Sequence, residues 1–197
     1  MCEAAQSPQK SGLMANPPKT SEEAIVAATI EIIEQQGTES LSVRAVARKL
    51  GLAPNALYYR FRKRKMLEAA VAAQGMRGIN AVLKKTAARL RGEEAIRRAC
   101  RAYLRYGRSH PAVYAMLMKK YPEAPGLLAE REGFREGLAR LLASLGDQPA
   151  ASEAGFALWA LLHGLVELEA EGLLEPLESA AGASYGVAAL MAGLSRS

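Results

Sequence analysis

Few folds accommodate two short helical patterns set this close together around a glycine. Ser42 offers a helix cap, and Val43, Val46, Ala47 and Leu50 then fall on one face over about two turns before Gly51 closes the segment. A second short pattern opens at Pro54, where the missing N–H of proline is harmless at the first helical position, and carries Leu57, Tyr58 and Phe61. Helix, a tight turn from Gly51 to Ala53 and helix again is the helix-turn-helix arrangement. Its second helix fits the DNA major groove, which is about 12 Å wide.

The charge distribution points the same way. From Ser42 to Lys65 there are eight basic residues (Arg44, Arg48, Lys49, Arg60, Arg62, Lys63, Arg64 and Lys65) and no Asp or Glu. The whole chain carries only +6, so the rest is close to neutral and the positive excess belongs to this one segment. A basic run is by default a solvated face. Here the cations are interleaved with tyrosines and follow a reading-helix pattern, which favours a polyanionic partner.

The remainder reads as helix after helix. Residues 1–20, with Pro8, Pro17 and Pro18 and no apolar periodicity, predict a disordered tail. Thr20 and Glu23 form a capping-box pattern leading into Ile25, Ala28, Thr29, Ile32 and Ile33, a helix that Gly37 ends. Beyond the helix-turn-helix a helix restarts near Lys63 and runs to about Ala73. Further segments are predicted at about 79–90, 93–108, 112–119, 126–145, 152–171 and 178–194, broken at glycines and prolines. No stretch alternates with a period of two, so the fold class is all-α: an N-terminal three-helix domain over 21–66 that holds the helix-turn-helix, then a larger helical domain over 67–197.

Two cysteines, Cys2 and Cys100, neither staple a secreted scaffold nor supply a tetrahedral metal site. No apolar run has the length and composition of a membrane span, and the start resembles no signal peptide, so no cofactor, no membrane and a cytoplasmic location are expected.

The stretch Ser42-Val-Arg-Ala-Val-Ala-Arg-Lys-Leu-Gly-Leu-Ala-Pro-Asn-Ala-Leu-Tyr-Tyr-Arg-Phe-Arg-Lys-Arg-Lys-Met-Leu67 closely resembles the DNA-binding domain of the tetracycline-repressor-like (TetR) family. The resemblance covers Ser21 to about Ala70, and its specific part is Ala-Leu-Tyr-Tyr-x-Phe followed by basic residues. It implies that Ala53, Pro54, Asn55 and Ala56 approach base edges, with Asn55 suited to adenine and the Ala56 methyl to thymine. Arg44 corresponds to a position that reaches a guanine or a phosphate. Ser42, Tyr58, Tyr59, Arg60, Lys63 and Arg64 are implied phosphate contacts, with core packing as the alternative for either tyrosine. Leu57 and Phe61 are core. One departure stands out: Ala53 occupies the position that commonly carries a Ser or Thr cap, forfeiting about 1 kcal/mol.

Near the end, Gly155 to Val166 is apolar on every side and must be buried all round. Ser179 to Ser195 has no charge and holds three glycines among six alanines, so packing must hold it. Of the first helix, Ala157, Ala160, Leu161, Gly164 and Leu168 lie on one side and Phe156, Trp159, His163 and Val166 on another. One side is expected to meet the chain's own core and the other the same helix pair, about 152–171 and 178–194, of a second subunit. Leu158 to Glu169 also resembles the Trp-His-Gly type of TetR regulatory domain. A small apolar or aromatic effector is expected among Tyr103, Tyr106, Tyr114, Met116, Met118, Phe134, Trp159 and His163, with ordinary core as the alternative for each.

These readings combine into a dimeric transcription factor that clamps a palindromic double-stranded DNA operator, represses, and is released by a small molecule. The alternative is the same DNA-binding protein without a small-molecule switch, controlled by a protein partner or by abundance. An enzyme has little to stand on: His163 and Glu167 share a helical face, but no third group completes a site.

Overall fold

The computed structural model describes residues 20–122, 124–143 and 148–194. The predicted tail therefore lies, apart from Thr20, outside the described residues. Among the described residues there are helices and no strands.

The first helix, α1 (Glu22–Gln36), buries Ile25, Val26, Ala28, Thr29, Ile32 and Ile33. Its cap is Ser21 and not Thr20: the extended backbone at Ser21 aims its Oγ at the Ala24 N–H, 3.1 Å away. Buried Thr29 satisfies its hydroxyl by donating to the Ile25 carbonyl at 2.7 Å. After a single 3-10 turn at Thr38–Ser40 come α2 (Val43–Leu50) and the five-residue α3 (Pro54–Tyr58). Val46, Ala47 and Leu57 are wholly buried and, with Phe61 and Leu67, join this small three-helix head into one core.

The spine of the molecule is α4 (Arg64–Arg89), a single 26-residue helix about 39 Å long. This corrects the expectation of two helices, 63–73 and 79–90. Gly75 and Gly78, which lie between the two expected segments, sit inside the helix where neighbours approach too closely for a side chain. A Cβ at Gly75 would stand 2.6 Å from Val113 Cγ1, and one at Gly78 would stand 3.0 Å from the Tyr106 ring. Glycine here lets α5 and α6 come close, and packing outweighs its poor helix propensity of roughly 1 kcal/mol.

Five further helices follow: α5 (Gly92–Ser109), α6 (Pro111–Leu117), α7 (Pro125–Leu142), α8 (Gln148–Ala170) and α9 (Pro176–Leu194). Packed around the later part of α4, they form the larger domain, whose core includes Ile96, Met116, Leu117, Leu127 and Phe134. The tightest helix pairing is α4 with α7, followed by α8 with α9 and α7 with α8. At the α4–α7 seam, Asn80 donates to the carbonyl of Glu130 at 2.9 Å and to its carboxylate at 2.8 Å.

The last two helices revise the expected division of α8. Its buried stripe is Ala151, Ala154, Leu158, Leu162, Leu165 and Val166. Ala157, Ala160 and Leu168 lie on the open side, as one face of the expected split requires, but Phe156 is open with them and more than half exposed, so it does not share a face with buried Val166. The reason is register: Phe156 and Val166 are ten residues apart, which at 3.6 per turn misses alignment by most of a right angle. Similarly, α9 buries Ser179, Ala183, Val187, Met191 and Leu194 and, Glu178 aside, exposes an uncharged surface.

Candidate nucleic-acid interface

The helix-turn-helix is built from local signals. At the start of α2 the Ser42 backbone is extended and its Oγ accepts the Ala45 N–H at 3.1 Å. Gly51 ends α2 at φ 69° and ψ 34°, a left-handed conformation that costs a glycine little, and the Leu52 N–H reaches back to the Ala47 carbonyl at 2.9 Å. The chain then turns through Ala53 into Pro54. No side chain caps α3, as the alanine at 53 dictates, and the helix lasts barely more than a turn before the Phe61 N–H closes on the Leu57 carbonyl at 2.8 Å. Leu57 and Phe61 anchor α3 from beneath, so its outer side faces solvent.

The structure leaves open to solvent nearly all the residues of this segment singled out from the sequence. Ser42, Arg44, Ala53, Pro54, Asn55, Ala56, Tyr58, Tyr59, Arg60 and Lys63 are all exposed. Neither tyrosine is core: Tyr58 is 39% and Tyr59 88% exposed. Arg44, Arg60 and Lys63 make no ion pair with any described residue. Arg48, Arg62 and Lys65, which were counted in the charge but not assigned a contact, are equally exposed and equally unpaired. The signal that would have found them is exposure, which a sequence does not print.

Arg64 is different. Half-buried, it donates to Glu68 at 2.8 Å and to the Thr38 carbonyl at 2.9 Å, with the Glu39 carboxylate 3.9 Å away. Its guanidinium fastens the start of α4 to the 3-10 turn of the head. Lys49 is also engaged, with Glu31 at 2.7 Å. Open to an incoming polyanion between Ser42 and Lys65 are therefore six cations in no ion pair with a described residue, two exposed tyrosines and an amide.

In the larger domain the structure brings most of the predicted aromatic residues together. The Tyr103 and Tyr114 hydroxyls are 2.9 Å apart, and the Tyr114 hydroxyl is 2.8 Å from His163 Nδ1. The Phe134 ring lies 6.1 Å from Tyr103 and meets Trp159 edge-on at 5.6 Å. Burial pushes the Tyr103 phenol up to about 12, and burial beside Tyr103 raises Tyr114 further, so both remain neutral. Trp159 Nε1 is buried on the side of the Tyr103 hydroxyl without forming a well-aligned hydrogen bond. Met116 is wholly buried and Met118 half-buried at the end of α6. Tyr106 stands apart, its ring against His110 at 4.8 Å in a cleft between α4 and α5. His163 and Glu167, the pair considered for catalysis, are 4.0 Å apart. Among the described residues no group of three or more His, Cys, Asp or Glu is placed to hold a metal, and no helix is long and apolar enough to cross a membrane.

Comparison with known proteins agrees with this geometry. Residues 25–71 match the family model of bacterial regulatory proteins of the tetR family, and residues 96–190 match that of the tetracyclin repressor-like C-terminal domain. The chain is 28% identical, over 93% of its own length and 85% of the relative's, to the uncharacterised HTH-type transcriptional regulator Rv0681 of Mycobacterium tuberculosis. Its fold is similar to that of SCO4454, a TetR-family transcriptional regulator of Streptomyces coelicolor (20% identity, 88% of this chain and 96% of that one, TM-score 0.70). It is also similar to that of a single-residue variant of TetR from Acinetobacter baumannii AYE, solved in complex with minocycline (21% identity, 89% and 97%, TM-score 0.65). Two family models, one for each end and together spanning well over half of the sequence, fall on the helix-turn-helix head and on the larger helical domain: the chain belongs to the tetR family of transcriptional regulators.

Proposed function

We propose that the protein is a dimeric repressor that grips a palindromic operator and lets go when a small molecule enters the larger domain. The observation that carries the DNA-binding part is the exposure of Asn55, Tyr58, Tyr59 and six unpaired cations between Ser42 and Lys65. In this reading Asn55 and Ala56 meet base edges. Arg44 meets a guanine or a phosphate, and Ser42, Tyr58, Tyr59, Arg60 and Lys63 fix the register on phosphates. Arg64 serves the interface indirectly, by holding the head on α4.

Dimerisation is supported by the largely uncharged outer surface of the last two helices. Leu177 (82% exposed) and Tyr185 (81%) project from α9 beside Ala181, Ala188 and Ala192, and Phe156, Ala157, Ala160 and Leu168 continue the patch on α8. A second copy packed there through a two-fold axis would form a four-helix interface and set two α3 helices about 34 Å apart.

An effector is supported by the poorly satisfied Trp159 N–H, which offers a donor to a ligand acceptor, and by the polar chain Tyr103–Tyr114–His163. Tyr114 lines a cleft of about 540 Å³ and Trp159 one of about 290 Å³, so a ligand entering either reaches one end of this cluster and biases the protein toward a second state. That the Tyr103, Tyr114 and His163 polar groups already satisfy one another favours a second reading, in which no small molecule enters and control comes from a partner or from abundance. The run from Leu158 supports a regulatory domain of the Trp-His-Gly type, and we place the passage from reading head to regulatory domain in the first turn of α4, at residues 66–67. A regulator acting on DNA places the protein in the cytoplasm.

Binding of a selected palindromic duplex, followed by fluorescence anisotropy, tests the assignment. Two chains per duplex are expected, and Asn55→Ala and Arg44→Ala each weaken the selected site by about 1–3 kcal/mol while leaving random duplex unaffected. Equal loss on every duplex would overturn the base-reading roles. A thermal-shift screen with lipophilic ligands separates the two modes of control, since a ligand at 100 times its Kd stabilises by about 2.7 kcal/mol.

A further inference from the structure

Five arginines punctuate α5, and the structure sorts them into two groups. Arg97 pairs with Glu93, Arg101 with Glu94 at 3.3 Å, and Arg108 with Glu169. Arg98 and Arg105 pair with no described residue and open instead onto a cleft of about 470 Å³ between α5 and the last turns of α4. Lys85 and Arg89 of α4 line it from the other side and are likewise unpaired. Among the described residues no carboxylate lines the cleft. Four exposed cations share the cleft, the Glu34 carboxylate stands 3.9 Å from its lining residue His110, and an anion joining the cations would offset their mutual repulsion.

The lining is ordered along the cleft. Lys85 and Arg89 are one turn apart on α4, about 6 Å, and Arg98 faces them across the hairpin from α5. Arg105 stands two turns from Arg98, about 10 Å along the helix. Between these charges the floor is apolar, formed by Val82, Ala102 and the ring of Tyr106. Burial pushes the Tyr106 phenol up to about 12, so it stays neutral. The volume suits a small organic molecule, for which sites run from about 300 to 1,000 Å³.

We propose that the α4–α5 cleft binds a phosphate- or diphosphate-bearing organic anion, its charged group held by Lys85, Arg89 and Arg98 and its body lying over Val82, Ala102 and Tyr106. Through Val82, Ala102 and Tyr106 the site adjoins Tyr103, but neither Tyr114 nor His163 lines it, and it does not depend on an effector binding at those residues. α4 is shared: its first turn, through Arg64, holds the DNA-reading head, and its last turns wall this cleft. An anion drawing Arg98 and Arg89 together would therefore press on the same rigid rod that carries the head.

Calorimetric titration of the full chain with inorganic pyrophosphate and with adenosine diphosphate, at fixed ionic strength in chloride, tests the proposal. One saturable site per chain is expected, with adenosine diphosphate binding more tightly than pyrophosphate because only it has a body for the apolar floor. Arg89→Ala and Arg98→Ala each weaken binding about tenfold or more, as loss of a charge-assisted hydrogen bond demands. Arg97→Ala and Arg101→Ala, equal in charge but outside the proposed grip, change it less than about twofold. All four positions lie at or near the surface, and helical circular dichroism confirms that each variant folds. Non-saturating binding, or equal weakening by all four substitutions, would overturn the site. So would a competing random duplex that displaces the nucleotide and loses affinity itself in Arg89→Ala and Arg98→Ala, since the cleft would then be a nucleic-acid contact.

Discussion

The carboxylate of Glu34, on the first helix of the DNA-reading head, accepts the backbone N–H of Val113 at the start of α6, 3.3 Å away. The first turn of α6 lacks a side-chain cap of its own, because His110 precedes Pro111 and makes no such bond. A residue of one domain thus caps a helix of the other. Glu34→Ala is expected to destabilise the chain by about 1 kcal/mol, the usual cost of a lost cap, lowering the Tm by about 2–4 °C. Glu34→Gln keeps an acceptor oxygen and should lose less; thermal unfolding of both variants decides, and equal losses would show that the cap is not what matters.

Gly75 marks where α4 and α6 come closest. Gly75→Ala should destabilise by about 1–3 kcal/mol, because Val113 and Leu117 leave no room for the methyl, even though alanine is the better helix former. Chemical denaturation measures this, and a stabilised variant would mean the seam yields freely.

Cys100 is buried on α5, and burial pushes its thiol up to about 12. The thiolate is the reactive form, so at pH 8 the native thiol should resist an aromatic disulfide reagent and react only as the chain unfolds. A Cys2→Ser variant isolates the signal, and prompt labelling of the native protein would contradict the packing of α5.

Arg108 and Glu169 tie α5 to α8 by paired hydrogen bonds, one of them 2.7 Å long, and the Arg108 guanidinium holds the Glu169 carboxyl below its ordinary range. A carboxylate lowered in the folded state stabilises above its unfolded pKa, near 4.3, and that contribution disappears as pH falls through the lower folded value. Glu169→Gln should therefore be less stable than the parent at pH 7, by less than about 1 kcal/mol for a partly exposed pair, and the gap should narrow as pH falls below about 4.3. A gap that does not narrow as the pH falls would point to packing instead.

Much of the reading head was legible in the sequence because its determinants are local. The Ser42 cap, the left-handed turn at Gly51 and the apolar positions at Val46, Ala47 and Leu57 lie within a few residues of what they determine. Long-range effects were not legible. Gly75 and Gly78 fall between the two expected helices, and only the structure shows Val113 and Tyr106 pressing on them. Arg64 looks like its cationic neighbours until Thr38, 26 residues earlier in the chain, is found beneath it. The same holds for the α4–α5 cleft, where Arg97 and Arg98 are adjacent, chemically identical and each one turn beyond a glutamate. Glu93 turns to Arg97, whereas Glu94 turns away from Arg98 to Arg101, so one arginine is a structural ion pair and the other is left unpaired. Capping shifted by one residue, from Thr20 to Ser21, because either residue type can cap and only the backbone angles choose.

The dependence of duplex affinity on salt tests the central claim most directly. If Arg60 and Lys63 neutralise phosphates in each of two bound copies, the log–log slope should be steep, and replacing either by alanine should flatten it by about 1.8, since each lost phosphate contact accounts for about 0.9. Arg97→Ala should leave the slope unchanged. A slope near zero, or slopes insensitive to Arg60 and Lys63, would contradict a DNA-gripping face around α3.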